Sequence, residues 1–133
     1  MIFPVACPNS YVQQFAPDDL THDAFLGGKL YLWQPRKGYR AGVDPVLLAA
    51  TVPASPGQRV LELGCGVGAA SLCLGTRIAG LHLTGVELQP AYADLARRNS
   101  PEFEVVVADL ADMPLALRER QFDHVLANPP YFD

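Results

Sequence analysis

Between residues 59 and 80 a short apolar strand runs into a glycine-rich turn and then a helix, and no other stretch constrains the fold as tightly. Arg59-Val60-Leu61-Glu62-Leu63 reads as the strand, Gly64-Cys65-Gly66-Val67-Gly68 as the turn, and residues 69–79, closed by Gly80, as the helix. Gly75 inside that helix costs roughly 1 kcal/mol relative to alanine. Glycines at this spacing let the backbone reverse sharply and let a ligand approach the main chain closely. The alternation continues. Residues 81–86 read as a strand, 90–98 as a helix opened by Pro90, 104–108 as a strand, 113–120 as a short helix and 122–127 as a fourth strand. Repeated strand–helix–strand units with short connections imply an α/β fold, a parallel sheet with helices on both faces. Strands covered on both sides should be apolar runs, and these are.

The part ahead of this unit is patterned differently. Residues 1–23 read as irregular, punctuated by Pro4, Pro8 and Pro17, with a turn or helix start at Asp18-Asp19-Leu20-Thr21. Residues 29–34 read as a strand ended by a turn at 35–38. Asp44 is placed to cap a helix whose first position suits Pro45. The apolar run 46–52 follows, stopped by Pro53 and Pro56. The expected division is a small strand-and-helix segment over 1–55 that covers a ligand site, and a ligand-binding half over 56–133.

Composition removes several classes. Half of the 133 residues are hydrophobic and 18% are charged, which excludes a disordered tail, a collagenous repeat and a supercharged nucleic-acid arm. No apolar run approaches the ~20 residues of a membrane helix. Residues 1–11 hold no Lys or Arg and include Pro4 and Pro8, unlike a signal peptide. Cys7, Cys65 and Cys73 form no C-x-x-C, so neither a disulfide framework nor a zinc site is expected, and a cytoplasmic location fits best. His22, His82 and His124 lack metal-ligand spacing and are expected to be structural, with no metal in the site. Cys65 has no triad partner and reads as a loop filler. The net charge of −4 argues against a surface that binds polyanions everywhere. Lys29, Arg36, Lys37 and Arg40, with no acid between Ala24 and Val43, nevertheless suggest a local basic patch; the plainer reading is a solvated hairpin.

The ligand class follows from three acids. Glu62 stands just before the glycine turn, Glu87 at the end of the second strand of the unit and Asp109 after the third. Open α/β sheets bind ligands at the carboxyl ends of their strands. Gly64, Gly66 and Ala69 also satisfy G-x-G-x-x-A, the dinucleotide fingerprint, which is weak alone. Three carboxylates at three successive strand ends suit an ammonium, a ribose and an adenine amino group, and suit a pyrophosphate poorly. This constellation resembles the S-adenosylmethionine site of the Rossmann-like methyltransferases. The resemblance implies that Gly64, Cys65, Gly66 and Gly68 line the cofactor and that Glu62 orients its methionine end. It also implies that Glu87 holds the ribose and Asp109 reaches the adenine, with Leu88 and Leu110 among the cofactor-binding residues.

Asn128-Pro129-Pro130-Tyr131 follows directly on the fourth strand of the unit. Two consecutive prolines stiffen the backbone there. The Asn128 side-chain oxygen and the Pro129 carbonyl are placed to accept from an NH₂ group, and Tyr131 to stack on a planar substrate. The tetrapeptide resembles the N-P-P-Y motif of methyltransferases that modify a planar amino nitrogen, in adenine or in the glutamine of release factors. Asn128, Pro129, Pro130 and Tyr131 are therefore the expected catalytic set, with Asn128 also touching the cofactor. The segment from Phe25 to Leu48 is similar to the one ahead of the cofactor loop in the bacterial tRNA adenine-N6 methyltransferases, where it packs over the cofactor; Tyr39, Arg40 and Asp44 are accordingly placed near the site.

The function implied is S-adenosylmethionine-dependent methylation of an exocyclic amino nitrogen, adenine-N6 of tRNA first. Glutamine-N5 of a protein, guanine-N2 of ribosomal RNA, an inactive cofactor-binding fragment and a nicotinamide-binding domain are the alternatives. The family named is about twice as long, so a truncated methyltransferase fold with strand order 3-2-1-4 is expected. Its fourth strand would be an open edge through which copies self-associate.

Overall fold

The computed structural model describes residues 14–129. An antiparallel hairpin comes first, built from β1 (Leu20–Phe25) and β2 (Leu30–Pro35), with Leu20 opposite Pro35 and Phe25 opposite Leu30. A single 3₁₀ turn, Leu26–Gly28, joins them, with Gly27 and Gly28 at positive φ. β1 corrects the expectation that residues up to 23 are irregular. Two of its three inner positions, Thr21 and Asp23, are polar and only Phe25 is apolar, so the alternation that announces a strand is missing. Those polar groups are satisfied by Gln34 and Arg40 instead of by burial in hydrocarbon.

Helix α1 (Asp44–Thr51) begins one residue earlier than expected. Asp44 is its first residue, not its cap; the flanking position is Val43, whose side chain caps nothing. β3 (Arg59–Leu63), α2 (Ala69–Arg77), β4 (His82–Glu87), α3 (Pro90–Asn99), β5 (Glu104–Val107), α4 (Leu115–Arg118) and β6 (His124–Ala127) complete the chain. Their sheet is parallel throughout in the order β5-β4-β3-β6, which is the 3-2-1-4 order expected. α2 stops at Arg77 rather than 79. The Arg77 guanidinium donates to the carbonyls of Ala49 and Val52, closing the far end of α1. Gly75 has a packing reason: a Cβ there would lie 3.0 Å from Leu83 Cδ1, so its absence lets α2 settle onto β4.

Alternation sorts the side chains between two faces. Val60 packs with α1 and α2, whereas Leu61 and Val86 pack with Leu117 of α4 on the opposite face. Leu32 of the hairpin joins Leu72, Leu95 and Phe103 in the core between α2, α3 and the sheet. Glu62 shares the face of Val60. Glu87 shares the face of Leu83, so both acids emerge at the sheet's carboxyl edge on the same side.

Candidate functional site

The carboxyl ends of β3, β4 and β6 surround a cavity of about 610 Å³. Its floor is the glycine turn. Gly64, Gly66 and Gly68 all sit at positive φ (69°, 56° and 94°), which explains why glycine occupies all three. A Cβ on Gly64 or Gly66 would meet nothing within 4 Å, so the main chain there faces open space. Gly68 plays another part. It flanks the start of α2, and a Cβ on it would lie 3.0 Å from the Phe103 ring, so it serves packing and does not line the cavity.

All three acids named from the sequence reach this one space. Glu62 is 3% exposed, and its Oε1 accepts from the Ser71 N–H (3.2 Å) and hydroxyl (2.6 Å). Burial pushes its carboxyl up to about 7; the Ser71 hydrogen bonds oppose that, and the neighbouring Glu87 charge adds to it. No described residue donates to its other oxygen. Glu87 Oε1 accepts from the Gly66 N–H and its Oε2 from the Gln89 N–H, so this acid shapes the turn as well as facing the cavity. Asp109 is exposed at the rim, its Oδ1 held by the Ala111 N–H. Cys65 is buried, and burial together with the Glu62 and Glu87 charges raises its thiol far above the ordinary value, which removes it as a nucleophile.

Leu88, Leu110, Asn128 and Tyr39 also line the cavity. Asn128 Nδ2 donates to the Tyr39 hydroxyl at 3.4 Å, joining the end of β6 to the loop after β2. Arg40 and Asp44 are not on the wall. Arg40 turns to Asp23 (3.2 Å) and donates to the Pro35 carbonyl and the Thr21 hydroxyl, so it is spent holding the hairpin to its loop. Asp44 stays exposed at the head of α1, while its neighbour Pro45 faces the cavity. Pro129 is exposed beside Asn128; Pro130 and Tyr131 lie outside the described residues. Gln89 and Tyr92 were missed by sequence reasoning. Tyr92 lines the wall, and its hydroxyl accepts the Tyr39 N–H at 3.0 Å; a Cβ on Gly38 would crowd that same oxygen at 2.8 Å. No motif marks Tyr92, although an aromatic in the first turn of a helix at the sheet's carboxyl edge is a usable signal.

A family model described as a methyltransferase domain matches residues 60–132, more than half of the chain. The chain belongs to the methyltransferase domain family. Within that family it is similar to a protein of Yersinia pestis (strain Pestoides F) named tRNA1(Val) (adenine(37)-N6)-methyltransferase, with 34% identity over 114 residues. The match covers 81% of this chain and 46% of the relative, so the chain spans about half the relative's length. Among solved structures it resembles a predicted O-methyltransferase from Agrobacterium tumefaciens, with 32% identity and a TM-score of 0.57 over 65% of this chain and 49% of the other. A TehB-like SAM-dependent methyltransferase from Corynebacterium glutamicum gives 28% identity and a TM-score of 0.53 over 69% of this chain and 47% of that one. The Pyrococcus abyssi tRNA (uracil-54, C5)-methyltransferase, solved with S-adenosyl-L-homocysteine, shares the fold, with a TM-score of 0.64 at 21% identity. The methyltransferase domain thus coincides with β3 onward, and the hairpin and α1 precede it.

Proposed function

We propose that this chain supplies the cofactor-binding part of an S-adenosylmethionine-dependent methyltransferase that modifies an exocyclic amino nitrogen, adenine-N6 of tRNA first. The observation that carries the reading is the convergence of Glu62, Glu87 and Asp109 on one cavity floored by Gly64 and Gly66. The donor set fits the cofactor. The unpartnered oxygen of Glu62 suits an ammonium. The remaining lone pairs of Glu87 suit ribose hydroxyls, and the exposed Asp109 suits an adenine amino group. When bound, the cofactor supplies an electrophilic methyl group.

The chain's own residues do the rest by position. Leu88 and Leu110 give apolar edges to the adenine site. Asn128 and the Pro129 carbonyl accept from the substrate amino group, leaving the nitrogen lone pair to face the methyl. Pro130 holds that shelf rigid, and Tyr131 stacks on the base. Tyr39, Ala41 and Pro45 make the described part of the N-terminal segment, residues 14–55, a cover for the pocket, consistent with their place on its wall. The Yersinia relatives support tRNA as the substrate class. The location is cytoplasmic, and β6, an edge strand of the described sheet, pairs copies of the chain.

The reading is tested by titrating the protein with S-adenosylhomocysteine and with NAD in a calorimeter, then offering tritiated S-adenosylmethionine with total tRNA or with release factor. Binding of S-adenosylhomocysteine alone and labelling of tRNA alone support it. Binding of NAD alone, or labelling of release factor alone, overturns it. Sedimentation as a monomer at high concentration overturns the pairing of copies.

A further inference from the structure

We infer that the outer face of the β1–β2 hairpin is a stacking platform for unpaired bases of single-stranded RNA. The inference rests on the RNA part of the function proposed above and extends it beyond the cavity. Strand alternation gives the hairpin two faces. The inner one holds the only carboxylate of the two strands, Asp23. Burial raises that carboxyl, but the hydrogen bonds from Thr21 and Gln34 and the Arg40 charge prevail and hold it below its ordinary value.

The outer face holds His22, Ala24, Tyr31 and Trp33. His22 lies directly opposite Trp33, and their rings stack at 4.2 Å with 12° between planes. Tyr31 lies diagonally beside His22, with centroids 5.5 Å apart. The residue opposite Tyr31 is Ala24, whose single methyl leaves the ring uncovered, and Tyr31 is 53% exposed. Arg98 of α3 reaches over Trp33, its Cζ 4.7 Å from the ring centroid.

A single exposed tyrosine is ordinary. Here His22 touches both Tyr31 and Trp33, Trp33 is held between His22 and Arg98, and the exposed Tyr31 ring stands at the end of this row as its open face. Flat π faces accept any base, and cations beside them meet the phosphates. The charges agree. No carboxylate of the two strands faces this side, while Lys29 at the hairpin turn and Arg98 at the end of α3 are exposed; Arg97 is turned away, to the Val105 carbonyl of β5. The face lacks the exposed aliphatic residues that a protein or lipid partner would bury. It is also connected to the site, because β2 leads from Trp33 through Pro35 to Tyr39 on the cavity wall. Tyr31 lies about 13 Å along β2 from Pro35 at the usual strand rise. An RNA strand lying on the platform therefore approaches the cavity.

Trp33 is the only tryptophan, so its emission reports on the platform. The test titrates the full chain with a 12-nucleotide oligoadenylate RNA, following Trp33 emission and the anisotropy of labelled RNA. Expected are quenching on binding, affinity that falls steeply with salt, and a roughly 5- to 100-fold loss in Tyr31→Ala, the worth of one stacked base. Tyr31→Phe keeps the ring and keeps the affinity. Lys29→Gln lowers the salt dependence. The inference is overturned if Tyr31→Ala binds RNA as tightly as the unaltered chain, if heparin, a polyanion without bases, quenches Trp33 as strongly as RNA, or if RNA does not bind. Calorimetry with S-adenosylhomocysteine on the same samples verifies that Tyr31→Ala is folded. It also separates the failures: cofactor binding without RNA binding sinks this inference alone, and absence of both sinks the cofactor reading too.

Discussion

The Glu87 carboxylate accepts the Gly66 N–H at 2.8 Å, so an acid at the end of β4 holds the turn that follows β3. Its second oxygen accepts the Gln89 N–H at 2.9 Å and sets the start of α3. One side chain thus fixes two of the cavity's walls. Glu87→Gln leaves one of these two backbone donors without an acceptor, because the amide NH₂ cannot take a hydrogen bond. The expected loss is about 1–3 kcal/mol in urea unfolding, with S-adenosylhomocysteine binding weakened at least about ten-fold in calorimetry. Unchanged unfolding would show that Glu87 does not hold the turn.

Glu62 makes stability and binding respond to pH in opposite senses. Its carboxyl titrates at about 7 when folded, against 4.5 ordinarily, chiefly because it is buried. Below pH 4.5 both folded and unfolded chains hold the proton, and the favourable contribution is complete. As pH rises from 4.5 through 7, the unfolded chain ionises first and that contribution is lost, to a total of about 3 kcal/mol. Glu62→Gln should remove this decline, so denaturant midpoints of variant and unaltered chain should diverge between pH 5 and 8. An ammonium pairs with the ionised form, so affinity for S-adenosylhomocysteine should fall by up to about ten-fold for each pH unit below 7, and the glutamine variant should not show that slope. Parallel pH profiles for the two proteins would refute the assignment.

Much of the sheet was legible because its strands are covered on both faces and read as apolar runs, and the floor of the cavity was legible because positive φ demands glycine. What escaped depended on partners distant in sequence. β1 was hidden because Thr21 and Asp23 satisfy themselves on Gln34 and Arg40 rather than by apolar packing. Arg40 was misplaced for the same reason, since its partner Asp23 lies 17 residues upstream. Gly68 carries the same φ signature as its neighbours, and only the position of Phe103 reveals that it serves packing. Tyr92 meets Tyr39 across 53 residues, a contact that no local pattern encodes.

The glycines separate stability from ligand access. A Cβ on Gly85 would lie 2.7 Å from both Cys65 Sγ and Phe103 Cζ, so Gly85→Ala overpacks the core behind the turn. The expected cost is about 1–3 kcal/mol of unfolding free energy. Gly66→Ala meets no protein atom, but its φ of 56° strains an alanine and its methyl enters the open space of the cavity. It should cost about 1–2 kcal/mol in stability and also weaken S-adenosylhomocysteine binding well beyond what Gly85→Ala does. Thermal unfolding read beside calorimetry checks both, and equal binding losses in the two variants would contradict the open-floor assignment.

Asn128 tests the transfer step itself. It stands at the cavity rim at the end of β6, and its Nδ2 donates to the Tyr39 hydroxyl, which directs the side-chain oxygen to remain available as an acceptor. If that oxygen orients the substrate amino group, Asn128→Ala removes an interaction the cofactor alone does not need. Methyl transfer to tRNA should then fall about 10²–10³-fold, on the scale of losing one preorganised hydrogen-bonding group, while S-adenosylhomocysteine affinity changes by no more than a few-fold. Asn128→Asp keeps an acceptor oxygen at the same place and should recover part of the rate. Tritium counting on tRNA beside calorimetry separates the two effects. An alanine variant that loses cofactor affinity in step with transfer would assign Asn128 to cofactor binding instead.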